Sequence, residues 1–218
     1  METVIEHFTA ERVIPIANFD DPEKAIPLAH ALLAGGCRII EVSFRSAKAA
    51  ASVAAIASEI PEMFIGAGSL LTQDDVSTAT AAGASFGIAP GYDPNVVKAA
   101  QEAVFPFIPG FLTPSNMSQA LSFGCSVQKF FPAESAGPVM LQAALAAFTG
   151  RYDIKVVAAG GITPENAARW FAIPQVIAVG ASWICPKDLI EAQEWPEITR
   201  RAQALIAALS GAPAAPAA

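Results

Sequence analysis

"CRIIEVSFRS", residues Cys37–Ser46, reads as a strand with two unlike faces. Successive side chains of an extended chain point to opposite sides, which groups Ile39, Glu41, Ser43 and Arg45 on one face and Ile40, Val42 and Phe44 on the other. Two settings suit such a strand. At the edge of an open sheet Glu41 would lie in water, the usual place for a glutamate. A closed barrel has no solvated edge, and its outer strand face packs on helices and must be apolar, so there Glu41 and Ser43 point inward.

The flanking sequence decides between them by its rhythm. Short β-rich runs occur at "RVIPIANF" from Arg12, "MFIGAGSL" from Met63, "SFGIAPG" from Ser85, "FPFIPGF" from Phe105, "SVQKFFP" from Ser126, "KVVAAGGI" from Lys155 and "VIAVGASWI" from Val176; with the opening stretch they make eight. Segments of helical spacing separate them. Several open on a capping residue and a proline, as at Asp21-Pro22, Thr113-Pro114 and Thr163-Pro164, and close near Gly35, Gly83 or Gly124. Eight parallel-type strands joined by helices in right-handed βαβ units favour a single (β/α)₈ barrel of the TIM type, with an open doubly wound sheet as the alternative. A short helix around residues 2–9 precedes the first strand. The barrel is expected to span residues 1–209, and the low-complexity "SGAPAAPAA" at 210–218 reads as a disordered Ala/Pro tail.

Composition narrows the function classes. The 218 residues suit one core, with 53% hydrophobic and only 15% charged residues. A formal charge of −7 leaves no broad basic face for nucleic acid or an anionic membrane, so an anionic small ligand would need a local site. Cys37, Cys125 and Cys185 are odd in number and widely spaced, which suggests reduced thiols rather than a disulfide framework, and the two histidines, His7 and His30, lack metal-site spacing. No secretory leader or apolar span of about 18 residues is apparent. The expectation is a cytoplasmic protein with no metal, no membrane and no nucleic-acid partner.

The sixth run, "SVQKFFPAES", places Val127, Lys129 and Phe131 on one face. A lysine in an otherwise buried strand is costly unless it is paired or loses its proton. Near the carboxyl end of its strand, Lys129 would share an enclosure with Glu41. A neutral amine there can attack a ketone and form an imine, which becomes an electron sink once protonated. Arg45 stands at the carboxyl end of the second strand, where barrel enzymes build their sites, and its planar fork suits a carboxylate or a structural ion pair. Lys155 opens its strand, so it is expected at the solvated amino-terminal rim with no role. Gly160 and Gly161 end the seventh strand, and Gly180 and Ser182 end the eighth, the two loops from which barrels often bind phosphate through backbone amides. Ser69 in "GAGS" could offer its hydroxyl and amide to a carboxylate.

Taken in order, "IIEVSFR", "IGAGSLLT", "IAPG", "IPGFLTPSN", "KFFPAE" and "GGITPEN" resemble the class I aldolases acting on 2-keto-3-deoxy-6-phosphogluconate (KDPG) across nearly the whole chain. The resemblance implies a trimeric barrel lyase of the Entner–Doudoroff route that cleaves the sugar acid to pyruvate and glyceraldehyde 3-phosphate without metal or organic cofactor. It implies Lys129 as the Schiff-base lysine and Glu41 as the general acid/base. By the same likeness Arg45 and Ser69 hold the substrate carboxylate, Pro90 and Phe131 line the pocket, and Gly160, Gly161, Gly180 and Ser182 hold the phosphate. The chain departs from the family pattern at Ser69, commonly Thr, and at Ala158 and Ala159, commonly Pro-Thr. Related enzymes take the galactonate epimer or phosphate-free 4-hydroxy-2-oxoglutarate, and a non-covalent sugar-phosphate isomerase or a non-catalytic binding scaffold are the rival readings.

Overall fold

Each of the eight β-rich runs forms a strand in the computed structural model, which describes residues 1–213. The strands are β1 (Val13–Ala17), β2 (Ile39–Ser43), β3 (Phe64–Gly68), β4 (Phe86–Ile88), β5 (Phe107–Ile108), β6 (Gly110–Phe111), β7 (Val127–Phe130), β8 (Lys155–Ala159) and β9 (Val176–Ala181). The extra strand comes from the fifth run, which Pro109 divides. Proline has no N–H to give a ladder. Phe107 and Ile108 pair with β4, while Gly110 and Phe111 pair with β7, and the Pro109 carbonyl accepts from the Lys129 amide at 2.9 Å. All pairings are parallel, in the order β5-β4-β3-β2-β1-β9-β8-β7-β6. The two ends of that order are joined by the single residue Pro109. The sheet therefore closes into the expected barrel, and the open doubly wound alternative is set aside.

Helices cover the outside. Their starts follow the capping chemistry: Asp21 accepts from the Glu23 amide ahead of a 3₁₀ turn (Pro22–Lys24) and the helix Ala25–Ala34, and Thr113 caps Pro114–Ser122. Thr163 and Asn166 form a capping box on Pro164–Ala167. Outward side chains such as Ile40, Val42, Ile65, Phe130 and Val156 join the helices in one core, led by Trp170, Leu28 and Leu32. Cys37 and Cys185 are buried there, and burial pushes the Cys37 thiol up to about 12 and the half-buried Cys125 up to about 11.

Inside the barrel lies a second apolar layer: Ile14, Ile39, Phe86, Ile88, Ile108, Val127, Val157 and Ile177. The N-terminal helix, Glu2–Glu11, closes its lower end by adding Val4 and Phe8 to that layer, with Phe8 edge-on to Phe86. His7 stacks on Phe64 at 3.9 Å. The amino-terminal end of the barrel interior is thus plugged, and among the described residues the interior opens at the carboxyl-terminal mouth. Lys155 corrects an expectation. It sits at the amino-terminal rim but is only 9% exposed, because its stem lies along the covered inner face while its ammonium reaches out to the Asp153 carboxylate at 3.4 Å. Of the stretch expected as a tail, residues 214–218 lie outside the described residues.

Phe8→Ala should leave a cavity in the plug and lower stability by about 3 kcal/mol. Urea unfolding followed by circular dichroism checks this, and an unchanged midpoint would contradict the plug.

Candidate active site

The inner faces of β2 and β7 carry the two charged side chains that the barrel encloses above its apolar layer. Lys129 is 5% exposed and Glu41 1%, and Lys129 Nζ donates to Glu41 Oε1 at 3.2 Å. Oε2 is 3.5 Å away, so the contact is a forked ion pair. Charges buried this deeply persist only when each has its partner, since removing one member of such a pair costs about 3–5 kcal/mol.

Room for the carboxylate comes from the neighbouring strand. In β3 the inward positions are Phe64, Gly66 and Gly68, and the two glycines are pockets for other strands' side chains. A Cβ on Gly66 would stand 2.1 Å from the Phe86 ring, and one on Gly68 would stand 2.2 Å from Glu41 Oε1. Gly68 therefore fixes where Glu41 can lie. Ser69, the next residue, adopts a left-handed backbone with φ 61°, which costs a non-glycine residue roughly 1 kcal/mol. Its Oγ lies 3.2 Å from Ser43 Oγ, and Ser43 Oγ accepts from Arg45 Nε at 3.0 Å. Arg45 itself is exposed at the mouth.

A cavity of about 390 Å³ opens over the ion pair. It is lined by Ile16, Glu41, Arg45, Ser69, Leu71, Pro90, Lys129, Phe131, Gly160 and Ser182. Eight of the ten residues expected at the site thus face one space. Gly161 and Gly180 do not. Gly180 leaves space for Ala159 Cβ and Ile16 Cδ1, each 3.0 Å from a Cβ placed there. Gly161 (φ +77°) packs beside Glu134, and its carbonyl accepts from Asn166 Nδ2 at 2.8 Å. Glu134 also pairs with Arg169 and accepts from Asn166 Nδ2, which ties the glycine loop to the helix that follows it.

Sequence reasoning left out Ile16 and Leu71. Ile16 was readable from the parity of β1, where Ile14 and Ile16 share the inner face. Leu71, 60% exposed, has no signal beyond standing two residues after Ser69. Phe131 is 37% exposed at the rim, with Lys129 Nζ 5.7 Å from its ring centre. Among the described residues Arg45 and Lys129 are the cations lining the cavity, and Gly160 and Ser182 add a glycine backbone and a hydroxyl to its lining. Among the described residues no three His, Cys, Asp or Glu side chains gather to hold a metal ion, and no helix is long and apolar enough to cross a membrane.

Comparison with known proteins adds an independent finding. A profile of the family described as KDPG and KHG aldolase matches residues 4–201. The 2-dehydro-3-deoxy-phosphogluconate aldolase of Treponema pallidum is 40% identical over 204 residues, 93% of this chain and 96% of that protein. The KHG/KDPG aldolase of Escherichia coli is 38% identical over 196 residues, 89% and 91% of the two chains. The crystal structure of KDPG aldolase from Legionella pneumophila, with pyruvate captured as a covalent carbinolamine intermediate, is similar with a TM-score of 0.87 at 35% identity. It covers 92% of this chain and 97% of that one.

Gly68→Ala should displace the Glu41 carboxylate, with a loss of about a hundredfold in kcat/KM, as a shift near 1 Å can cause. Steady-state assay beside a thermal melt checks it. Wild-type kinetics in a folded Gly68→Ala protein would contradict the placement.

Proposed function

The chain belongs to the KDPG and KHG aldolase family and is a lyase of the class I aldolase type; from that premise we propose that Lys129 is the amine that forms the Schiff base and Glu41 the group that moves protons to and from it. The single observation that carries this reading is the ion pair at 3.2 Å, enclosed at the open mouth of the barrel.

Glu41 takes a proton from the Lys129 ammonium. The freed amine adds to C2 of the 2-keto acid, and the carbinolamine loses its oxygen as water to leave a protonated imine. That imine draws electrons from the C3–C4 bond while a base takes the C4 hydroxyl proton, so the bond breaks, the aldehyde leaves and an enamine remains. Proton return to C3 and addition of water at C2 release pyruvate and restore the lysine. Glu41 stands beside the nitrogen for the transfers at the amine, and it is also the group we assign to the C4 hydroxyl and C3 transfers. Arg45 and Ser69 hold the C1 carboxylate, which places C2 over the amine. Pro90 and Phe131 form the walls.

The cleaved compound is 2-keto-3-deoxy-6-phosphogluconate, and the products are pyruvate and glyceraldehyde 3-phosphate. Gly160, Gly161, Gly180 and Ser182 form the phosphate end, Gly160 and Ser182 by direct contact and the other two by shaping the loops. A second reading rests on Ala159, which is fully buried on the inner face of β8 beside Gly180 and brings no hydroxyl to that end, while Ala158 points out to the helices. The phosphate-free 4-hydroxy-2-oxoglutarate, or the galactonate epimer, is then an accepted substrate as well. We place the enzyme in the cytoplasm as a homotrimer serving the Entner–Doudoroff route, using no metal or organic cofactor.

Two experiments test the reading. Pyruvate release, coupled to lactate dehydrogenase, should be fastest with the phosphogluconate compound when the three substrates are run side by side. Lys129→Ala should lose turnover by several orders of magnitude. Glu41→Gln should keep slow activity, reduced about 10²–10⁴-fold as expected for loss of a general acid/base. Wild-type rates in either variant would overturn the roles assigned.

A further inference from the structure

Ser43 does not line the cavity, yet both groups proposed to hold the substrate carboxylate meet on it. It is 1% exposed on the inner face of β2. Its Oγ accepts from Arg45 Nε at 3.0 Å and lies 3.2 Å from Ser69 Oγ. The direction of the second bond follows from counting protons. A guanidinium has donors and no acceptor, so the proton between Arg45 and Ser43 comes from Nε. Ser43 then has one proton of its own to give, and Ser69 Oγ is the acceptor in reach among the described residues. The reverse direction would leave the Ser43 hydroxyl proton buried without an acceptor, which is unfavourable. Ser69, having accepted, keeps its own proton free, and Ser69 lines the cavity.

We propose that Ser43 is a positioning residue that sets a one-way donor chain, from Arg45 Nε–H to Ser43 and from Ser43 O–H to Ser69, so that Ser69 donates into the cavity. Ser43 thereby supports the hold on the carboxylate of the 2-keto acid without touching the ligand. Arg45 is held by Nε and presents its terminal nitrogens, while Ser69 is held as a donor. Neither orientation is demanded by a neutral ketone. This inference rests on the reading of Lys129 as the imine-forming amine.

The experiment is borohydride trapping of the whole protein with pyruvate and, separately, with pyruvamide, titrating each and quantifying the reduced adduct on Lys129 by mass spectrometry. Wild type should show a strong preference for pyruvate. Ser43→Ala should weaken half-saturation by pyruvate about tenfold, the scale of a lost hydrogen bond supporting a charged ligand. Its pyruvamide curve should move less than about twofold, which also reports that the variant is folded. Ser43→Thr, which keeps the hydroxyl, should retain the wild-type preference. Superimposable pyruvate curves for Ser43→Ala and wild type, or equal weakening towards both ketones, would overturn the donor chain while leaving Lys129 as the amine. No adduct on Lys129 in wild type with either ketone would overturn the Schiff-base reading itself, and the donor chain with it.

Discussion

An ammonium and a carboxylate, Lys129 and Glu41, face each other at 3.2 Å inside a ring of strands, each almost wholly withdrawn from water. Neither would be tolerated there alone. Taking either ion from water costs several kcal/mol, and their mutual attraction offsets this only while the geometry is held. The barrel supplies that hold. Glu41 comes from β2 and Lys129 from β7, and the strands between them pair continuously around the ring through Pro109. A barrel opened at any strand would hydrate the pair and dissolve the arrangement.

The remaining features of the mouth serve the same pair. Two glycines in β3 give up their own side-chain space, one to the Phe86 ring that closes the apolar layer below and one to the Glu41 carboxylate above. The plug of Val4 and Phe8 keeps water from reaching the pair from the amino-terminal end. At the open end Ser69 sits in a left-handed conformation that turns the chain away from β3 at the point where its hydroxyl meets Ser43. Local strain at Ser69 is thus spent where a polar group must face the ligand.

Much of this was legible in the sequence, and what was not has a common cause. The eight β-rich runs and the parity of "IIEVS" were enough to turn Glu41 inward, because period and composition act locally. Lys129 followed from the same parity and from the cost of burying its charge. The break at Pro109 was harder to read, since a proline in a short run does not say that its two sides pair with different neighbours. The pockets at Gly66 and Gly68 depend on side chains from adjacent strands, and spacing along the chain carries no sign of them. Lys155 departs from expectation for the same kind of reason: its place at the rim follows from sequence, but the covering of its stem and the reach to Asp153 are three-dimensional facts. Gly161 and Gly180 belong to the right loops, yet only the folded chain distinguishes glycines that face the cavity from those that let neighbours pack.

The most direct test is a crystal structure of the protein soaked with pyruvate and frozen before turnover. Continuous density from Lys129 Nζ to C2 of the ligand, with its carboxylate against Arg45 and Ser69 and the Glu41 carboxylate still beside the nitrogen, is the predicted result. Pyruvate bound without a bond to Lys129, or bonded to another lysine, would contradict the account.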